Sequence, residues 1–143
     1  MELEQCINFI LTKTQQKVHR LFKAELAAYG VTPGQYAVLK CLGDNNGLTA
    51  KQIAERLALD GSTITGLLDR LEQKALIAKH VDPHDRRALQ VLLTEQGRAL
   101  AEPLNCCIQK CNQKVSEVLS AEQWAGLKQV LEQIEGRIDS SSR

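Results

Sequence analysis

Apolar residues near the start of the chain fall at Leu3, Ile7, Ile10, Leu11, Val18, Leu21, Phe22 and Leu26. Spacings of three and four put them on one stripe of a helical repeat, so the pattern predicts a long amphipathic helix over Leu3–Leu26. Tyr29-Gly30 ends it. Thr32 is placed to cap a second helix, with Pro33 at the first helical position, where a missing N–H costs nothing. Tyr36, Val38, Leu39 and Leu42 are carried on that helix, which stops near Gly43, and Asp44-Asn45-Asn46-Gly47 reads as a loop. Thr49 followed by Gln52 is a capping box at the head of a third helix, with Ile53, Ala54 and Leu57 inward. Leu59-Asp60-Gly61 turns tightly into a fourth helix, capped by Asp60 or Ser62, with Ile64, Leu67, Leu68 and Leu71 inward. Two short helices joined this way form a helix-turn-helix.

Leu76–Val81 and Ala88–Leu93 read as two strands around a turn-rich tip, Asp82-Pro83-His84-Asp85-Arg86-Arg87. A hairpin directly after a helix-turn-helix is a wing. Thr94 caps the next helix, with Glu95 in its first turn, where an acid suits the helix dipole. That helix is predicted to run through Leu100, Leu104, Cys107, Ile108, Cys111, Val115 and Val118, with a kink at Pro103. Ser120 and Gln123 open a last helix that carries Trp124, Leu127, Val130, Leu131, Ile134 and Ile138 on one face. Ser140–Arg143 is expected to fray.

Composition narrows the class. The 143 residues are 43% apolar and 24% charged, an ordinary globular balance, and aromatics are only 3%, so the core must be aliphatic. No apolar run approaches the roughly 20 residues of a membrane-spanning helix. The N-terminal segment begins with acids rather than a basic stretch, which argues against a secretory leader and for a cytoplasmic protein. Net charge is +1, so nucleic-acid binding must rest on where Arg and Lys are placed. There is no Gly-rich phosphate loop and no G-x-S-x-G elbow, which argues against an enzyme. Five cysteines, Cys6, Cys41, Cys106, Cys107 and Cys111, do not form the spaced framework of a disulfide-stapled domain. No histidine joins them at zinc-finger spacing, and neither a metal nor a cofactor is expected; His19 reads as a surface residue and Cys41 as core.

The elements and motifs together resemble the MarR family of bacterial transcriptional regulators. The resemblance is sharpest from Leu48 to Leu100, in Asp69-Arg70-Leu71-Glu72 at the end of the helix-turn-helix, Asp85-Arg86-Arg87 at the wing tip and Leu93-Thr94-Glu95-Gln96-Gly97 after the wing. It implies a mainly α fold with a small β-hairpin, a winged helix-turn-helix with long N- and C-terminal dimerisation helices. The parts would be residues 1–30, the DNA-binding lobe at 31–98 and residues 99–143, within one compact domain overall. It implies a homodimer whose first and last helices interlock, so that two recognition helices and two wings straddle a pseudo-palindromic site on double-stranded DNA.

The fourth helix is then the recognition helix. Ser62, Thr63 and Thr65 present hydroxyls to base edges or phosphate, Gly61 and Gly66 allow close backbone approach, and Arg70 reaches for the DNA backbone. Its N-terminus is expected to attract phosphate. At the wing tip Arg86 and Arg87 suit the narrow, electronegative minor groove, and His84 is a further candidate. The resemblance singles out Arg87 for that role and gives Asp85 a structural salt bridge that holds the tip. Thr49, Lys51 and Gln52 are candidate phosphate contacts. Clustered on one face, such residues make a near-neutral chain a DNA binder.

Three signals are open. A small aromatic effector, as the family likeness suggests, would sit near Lys13, Lys17, Arg20 and Tyr36. A redox branch of the family uses a cysteine near the start of the first helix; Cys6 lies close, although an ungapped alignment places that cysteine nearer Asn8 and puts Thr12 and Phe22 where its partner tyrosines stand. Cys107 and Cys111, four apart with Cys106 adjacent, form a second thiol cluster that equally suits core packing. The alternative class is a winged-helix protein-interaction module.

Overall fold

Three helices in this chain begin where a short hydroxyl side chain meets a glutamine three residues on. The computed structural model describes residues 1–141, with side chains through Ile138. The helices are α1 (Ile7–Leu26), α2 (Pro33–Asp44), α3 (Ala50–Leu57), α4 (Gly61–Gln73), α5 (Glu95–Ala99), α6 (Ala101–Ser116) and α7 (Ala121–Ser141), with strands β1 (Leu48–Thr49), β2 (Ile77–Val81) and β3 (Leu89–Leu93). Capping boxes open α2 at Thr32–Gln35, α3 at Thr49–Gln52 and α7 at Ser120–Gln123. Each satisfies two backbone donors that the helix start would leave bare. Asp60, not Ser62, caps α4, its Oδ1 accepting the Thr63 N–H at 2.7 Å.

The first predicted helix is two pieces. Glu2 and Gln5 close a short 3-10 turn at Leu3–Gln5, Cys6 is extended, and α1 restarts with Cys6 as its N-cap. Helical spacing of apolar residues is insensitive to a single-residue break. A second departure lies after the wing, where one helix kinked at Pro103 becomes α5 and α6 with the break at Leu100. Pro103 has no N–H to give the carbonyl of Ala99, so α5 ends there and α6 restarts with the proline in its first turn, where no donor is required. Val118 lies beyond the end of α6. Backbone helix in α7 continues through Ser140 and Ser141 rather than fraying there, and Ser142 and Arg143 lie outside the described residues.

A third strand joins the expected hairpin. The sheet runs β1-β3-β2, antiparallel throughout, with Leu48 opposite Val91 and Ile77 opposite Leu93. Gly47 turns the chain into β1 at φ +86°, a conformation open mainly to glycine, and its N–H donates to the Val91 carbonyl. Asn46 Oδ1 accepts the Leu93 N–H at 3.0 Å, tying the α2–β1 loop to the base of the wing.

The chain divides into two compact units, residues 1–108 and the segment from Gln109 onward. The first has an aliphatic core in which Leu26, Val38, Leu42, Ile53, Leu71, Ile77 and Val91 are fully buried. By contrast Leu3, Ile7, Ile10 and Leu11 are uncovered, and so are Trp124, Leu127, Val130, Leu131 and Ile134 on α7. No helix among the described residues is long and apolar enough to cross a membrane.

Candidate nucleic-acid interface

The candidate recognition helix α4 buries Ile64, Leu68 and Leu71 and leaves Ser62, Thr63, Thr65 and Arg70 exposed. The hydroxyls are already oriented: Ser62 Oγ donates to Asp60 Oδ1 at 2.9 Å and Thr65 Oγ1 to the Gly61 carbonyl at 2.8 Å. That leaves their oxygens as acceptors for base amino groups. The Asp60 carboxylate occupies the positive end of the helix, so the phosphate attraction expected there is offset by the protein's own anion. The backbone N–H of Thr63, then the hydroxyls of Thr63 and Ser62, hold the Asp60 carboxyl below its ordinary range.

At the start of α3, Thr49 and Gln52 use their side-chain oxygens as acceptors in the capping box, which leaves the Thr49 O–H and the Gln52 amide N–H groups as donors suited to phosphate, and Lys51 beside them is a charged group exposed to solvent. Between Ala50, Lys51 and Thr65 an open groove separates α3 from α4.

The wing tip is built from two aspartates. Asp82 Oδ1 accepts the His84 N–H at 2.8 Å and Asp85 Oδ1 accepts the Arg87 N–H at 3.0 Å. Asp85 therefore holds the tip through an Asx turn to backbone, in place of the salt bridge the resemblance implies. His84, Arg86 and Arg87 stand exposed around it.

Sequence reasoning missed what steadies the recognition helix. Lys79 Nζ of β2 lies 2.8 Å from Asp69 Oδ1 and 3.8 Å from Glu72 Oε1, joining the wing to the outer face of α4. This explains the Asp-x-x-Glu of the motif: residues three apart share a helix face, where one lysine meets both. The signal was present as an inward-leaning lysine in a strand, but pairing needs the fold.

The candidate effector residues separate. Lys13, Lys17 and Arg20 are exposed along α1, where Lys13 sits 6.0 Å over the Phe9 ring. Tyr36 instead lines a cavity of about 120 Å³ with Leu39, Leu93 and Leu104 as apolar walls and Lys40, Asp44 and Asn105 as polar groups. None of the three α1 cations lines it. Burial raises the Tyr36 phenol above its ordinary value, so it remains a proton donor at neutral pH. Lys40 Nζ and Arg56 Nη2 both hold Asp44, at 2.9 and 3.0 Å.

None of the five cysteines is in a disulfide; Cys6 is half-buried, Cys106 exposed, and Cys41, Cys107 and Cys111 buried. No group of three metal-ligating side chains occurs among the described residues.

The sequence profile of the MarR family matches residues 29–88. The organic hydroperoxide resistance transcriptional regulator of Bacillus subtilis is 34% identical over 102 residues, 71% of this chain and 69% of that protein. This chain belongs to the MarR family. Its fold is that of solved family regulators. The transcriptional repressor CouR, bound to a 23-mer DNA duplex, superposes with a TM-score of 0.87 at 27% identity, covering 94% of this chain and 95% of that one. The PcaV transcriptional regulator of Streptomyces coelicolor, in complex with its natural ligand, gives 0.85 at 28% identity over 95% and 96%. As a member of this family the chain is a DNA-binding transcriptional regulator and not an enzyme.

Proposed function

We propose that this protein is a cytoplasmic homodimeric repressor that reads a pseudo-palindromic operator and releases it when a small aromatic ligand occupies the cavity beside Tyr36. The observation that carries the reading is that α4 exposes an edge of hydroxyls, Ser62, Thr63 and Thr65, and the wing tip after it presents Arg86 and Arg87 to solvent. Base edges in the major groove suit the hydroxyls, and the narrow minor groove suits a guanidinium. Dimerisation is supported by the uncovered apolar faces of α1 and α7, too large to stay in water. For the effector, the cavity offers one ring's worth of space, aliphatic walls and polar anchors, the usual make-up of a small-molecule site. PcaV, whose structure holds its natural ligand, supports the same reading.

A thiol switch is the second reading, favoured by the name of the Bacillus relative and by Cys6, which stands partly open to solvent at the head of α1. Cys107 and Cys111 are buried, which suits them to packing.

The test is a titration of purified protein against DNA from upstream of its gene, with and without Arg87→Ala, repeated with salicylate and with cumene hydroperoxide. Tight binding that Arg87→Ala weakens supports the repressor. Release by salicylate supports the aromatic effector, and release by hydroperoxide that Cys6→Ser abolishes supports the thiol switch. Absence of specific binding to any upstream fragment at low salt overturns the operator reading.

A further inference from the structure

Apolar packing between helices is non-directional and tolerates small slides and rotations. A recognition helix cannot tolerate them, because its side chains must meet base edges within hydrogen-bond distance. Something directional has to register α4 against the rest of the chain.

Lys74 supplies it. It is the C-cap of α4, its own N–H donating to the Arg70 and Glu72 carbonyls. Its ammonium donates to the Gly30 carbonyl at 2.6 Å and to Gln35 Oε1 at 2.7 Å. Gly30, at φ +70°, ends the short turn after α1. Gln35 is the one buried polar residue among the described residues, and the same Oε1 accepts the Thr32 N–H that begins α2. A single cation therefore ends the recognition helix and closes the corner where α1 hands over to α2. A second close approach lies at the same corner: a Cβ on Gly34 would stand 3.1 Å from Leu67 Cδ2 of α4. Backbone after Lys74 continues the lock, with Ala75 at φ +59° and the Leu76 N–H returning to the Leu71 carbonyl.

We propose that Lys74 is a positioning residue whose ammonium registers the recognition helix to the α1–α2 corner and thereby sets the half-site spacing that the dimer reads. The proposal rests on the homodimeric-repressor reading. If α1 takes part in joining two copies, its corner is the point from which each α4 is aimed, and a loosened corner blurs the separation of the pair.

Two measurements on the full chain test it. The first needs no DNA: hydrogen exchange of Lys74→Met is expected to speed up in residues 30–36 and 70–76 and to stay unchanged in α7, with Lys74→Arg protected as in the wild type. Gln35→Met, which keeps the cation and removes its acceptor, is expected to reproduce the effect should Lys74→Met fold poorly. The second is binding to a series of operators whose half-sites are moved apart one base pair at a time. The wild type is expected to prefer one spacing by roughly tenfold or more, equivalent to about 1.4 kcal/mol. Lys74→Met is expected to lose that preference while binding bulk genomic DNA at low salt as before. Unchanged exchange at the corner overturns the lock. A uniform loss of affinity across all spacings and bulk DNA overturns the positioning role in favour of a simple phosphate contact. A wild type that binds no operator specifically overturns the repressor reading and the spacing role with it, while the exchange result still decides the lock.

Discussion

Gly97 is where α5 sits against the base of the wing, and replacing it with alanine measures how rigid that joint is. The Thr94 N–H donates to the Leu76 carbonyl at 3.1 Å. Thr94 Oγ1 donates to the Ala75 carbonyl at 2.7 Å and accepts the Gly97 N–H at 3.1 Å. A Cβ on Gly97 would fall inside the contact distance of the Leu76 carbonyl oxygen, and would lie 3.2 Å from its carbon and 3.3 Å from Leu93 Cδ2. The leucine tip can swing away. The carbonyl cannot move without stretching its bond to Thr94. Alanine in place of glycine gains about 1 kcal/mol of helix propensity. Against that stand roughly 1–3 kcal/mol for overpacking and about 0.5–1.5 kcal/mol for the weakened hydrogen bond. Gly97→Ala is therefore expected to lose about 1–3 kcal/mol net, lowering the melting temperature by about 2–4 °C per kcal/mol for a chain of this size. Urea and thermal unfolding at one fixed protomer concentration read it, because the midpoint of the proposed dimer would move with concentration. Gly66→Ala in α4 is the control: its Cβ meets nothing within 4 Å, and it is expected to be stabilised by up to about 1 kcal/mol. A Gly97→Ala protein as stable as the wild type would refute the claim that the Leu76 carbonyl is held in place.

Four further variants probe the same geometry. Ala75→Gly relieves a left-handed backbone at φ +59° and is expected to stabilise the fold by about 1 kcal/mol in urea unfolding. Leu71→Ala empties a fully buried site and is expected to cost about 2–5 kcal/mol in the same assay. Because the Asp60 carboxyl is held below its ordinary 3.8, its stabilising share is complete above that value and is lost as pH falls through the folded value. Asp60→Asn is expected to flatten part of the acid side of the stability profile, Asp44, whose carboxyl the Lys40 hydrogen bond chiefly lowers, supplying another part. The same variant removes an anion from the head of the recognition helix, so its DNA affinity in a low-salt titration is expected to rise. Ile134→Glu places a charge in the uncovered face of α7, and sedimentation is expected to show monomers where the wild type shows dimers.

Local signals were sufficient wherever neighbours in sequence decide the outcome. Capping boxes at Thr32, Thr49 and Ser120, the Pro33 start and the 3.6-residue stripes are written in a few consecutive residues, and they placed nearly every helix. The helix-turn-helix, the wing and its exposed arginines were legible for the same reason. Long-range partners were not. Leu48-Thr49 is too short to carry an alternating pattern and becomes a strand only because β3 offers an unpaired edge. Lys79 meets Asp69 and Glu72, and Lys74 meets Gly30 and Gln35, only once β2 and α2 have been folded against α4. The proposed effector cavity shows the limit most clearly. The α1 cations made a plausible sequence cluster, yet a cavity is enclosed by surfaces from distant segments, and of the four candidates only Tyr36 lines it. A sequence specifies which faces are apolar and where helices start, while the meeting of those faces, which depends on volume and crossing geometry, is decided in three dimensions.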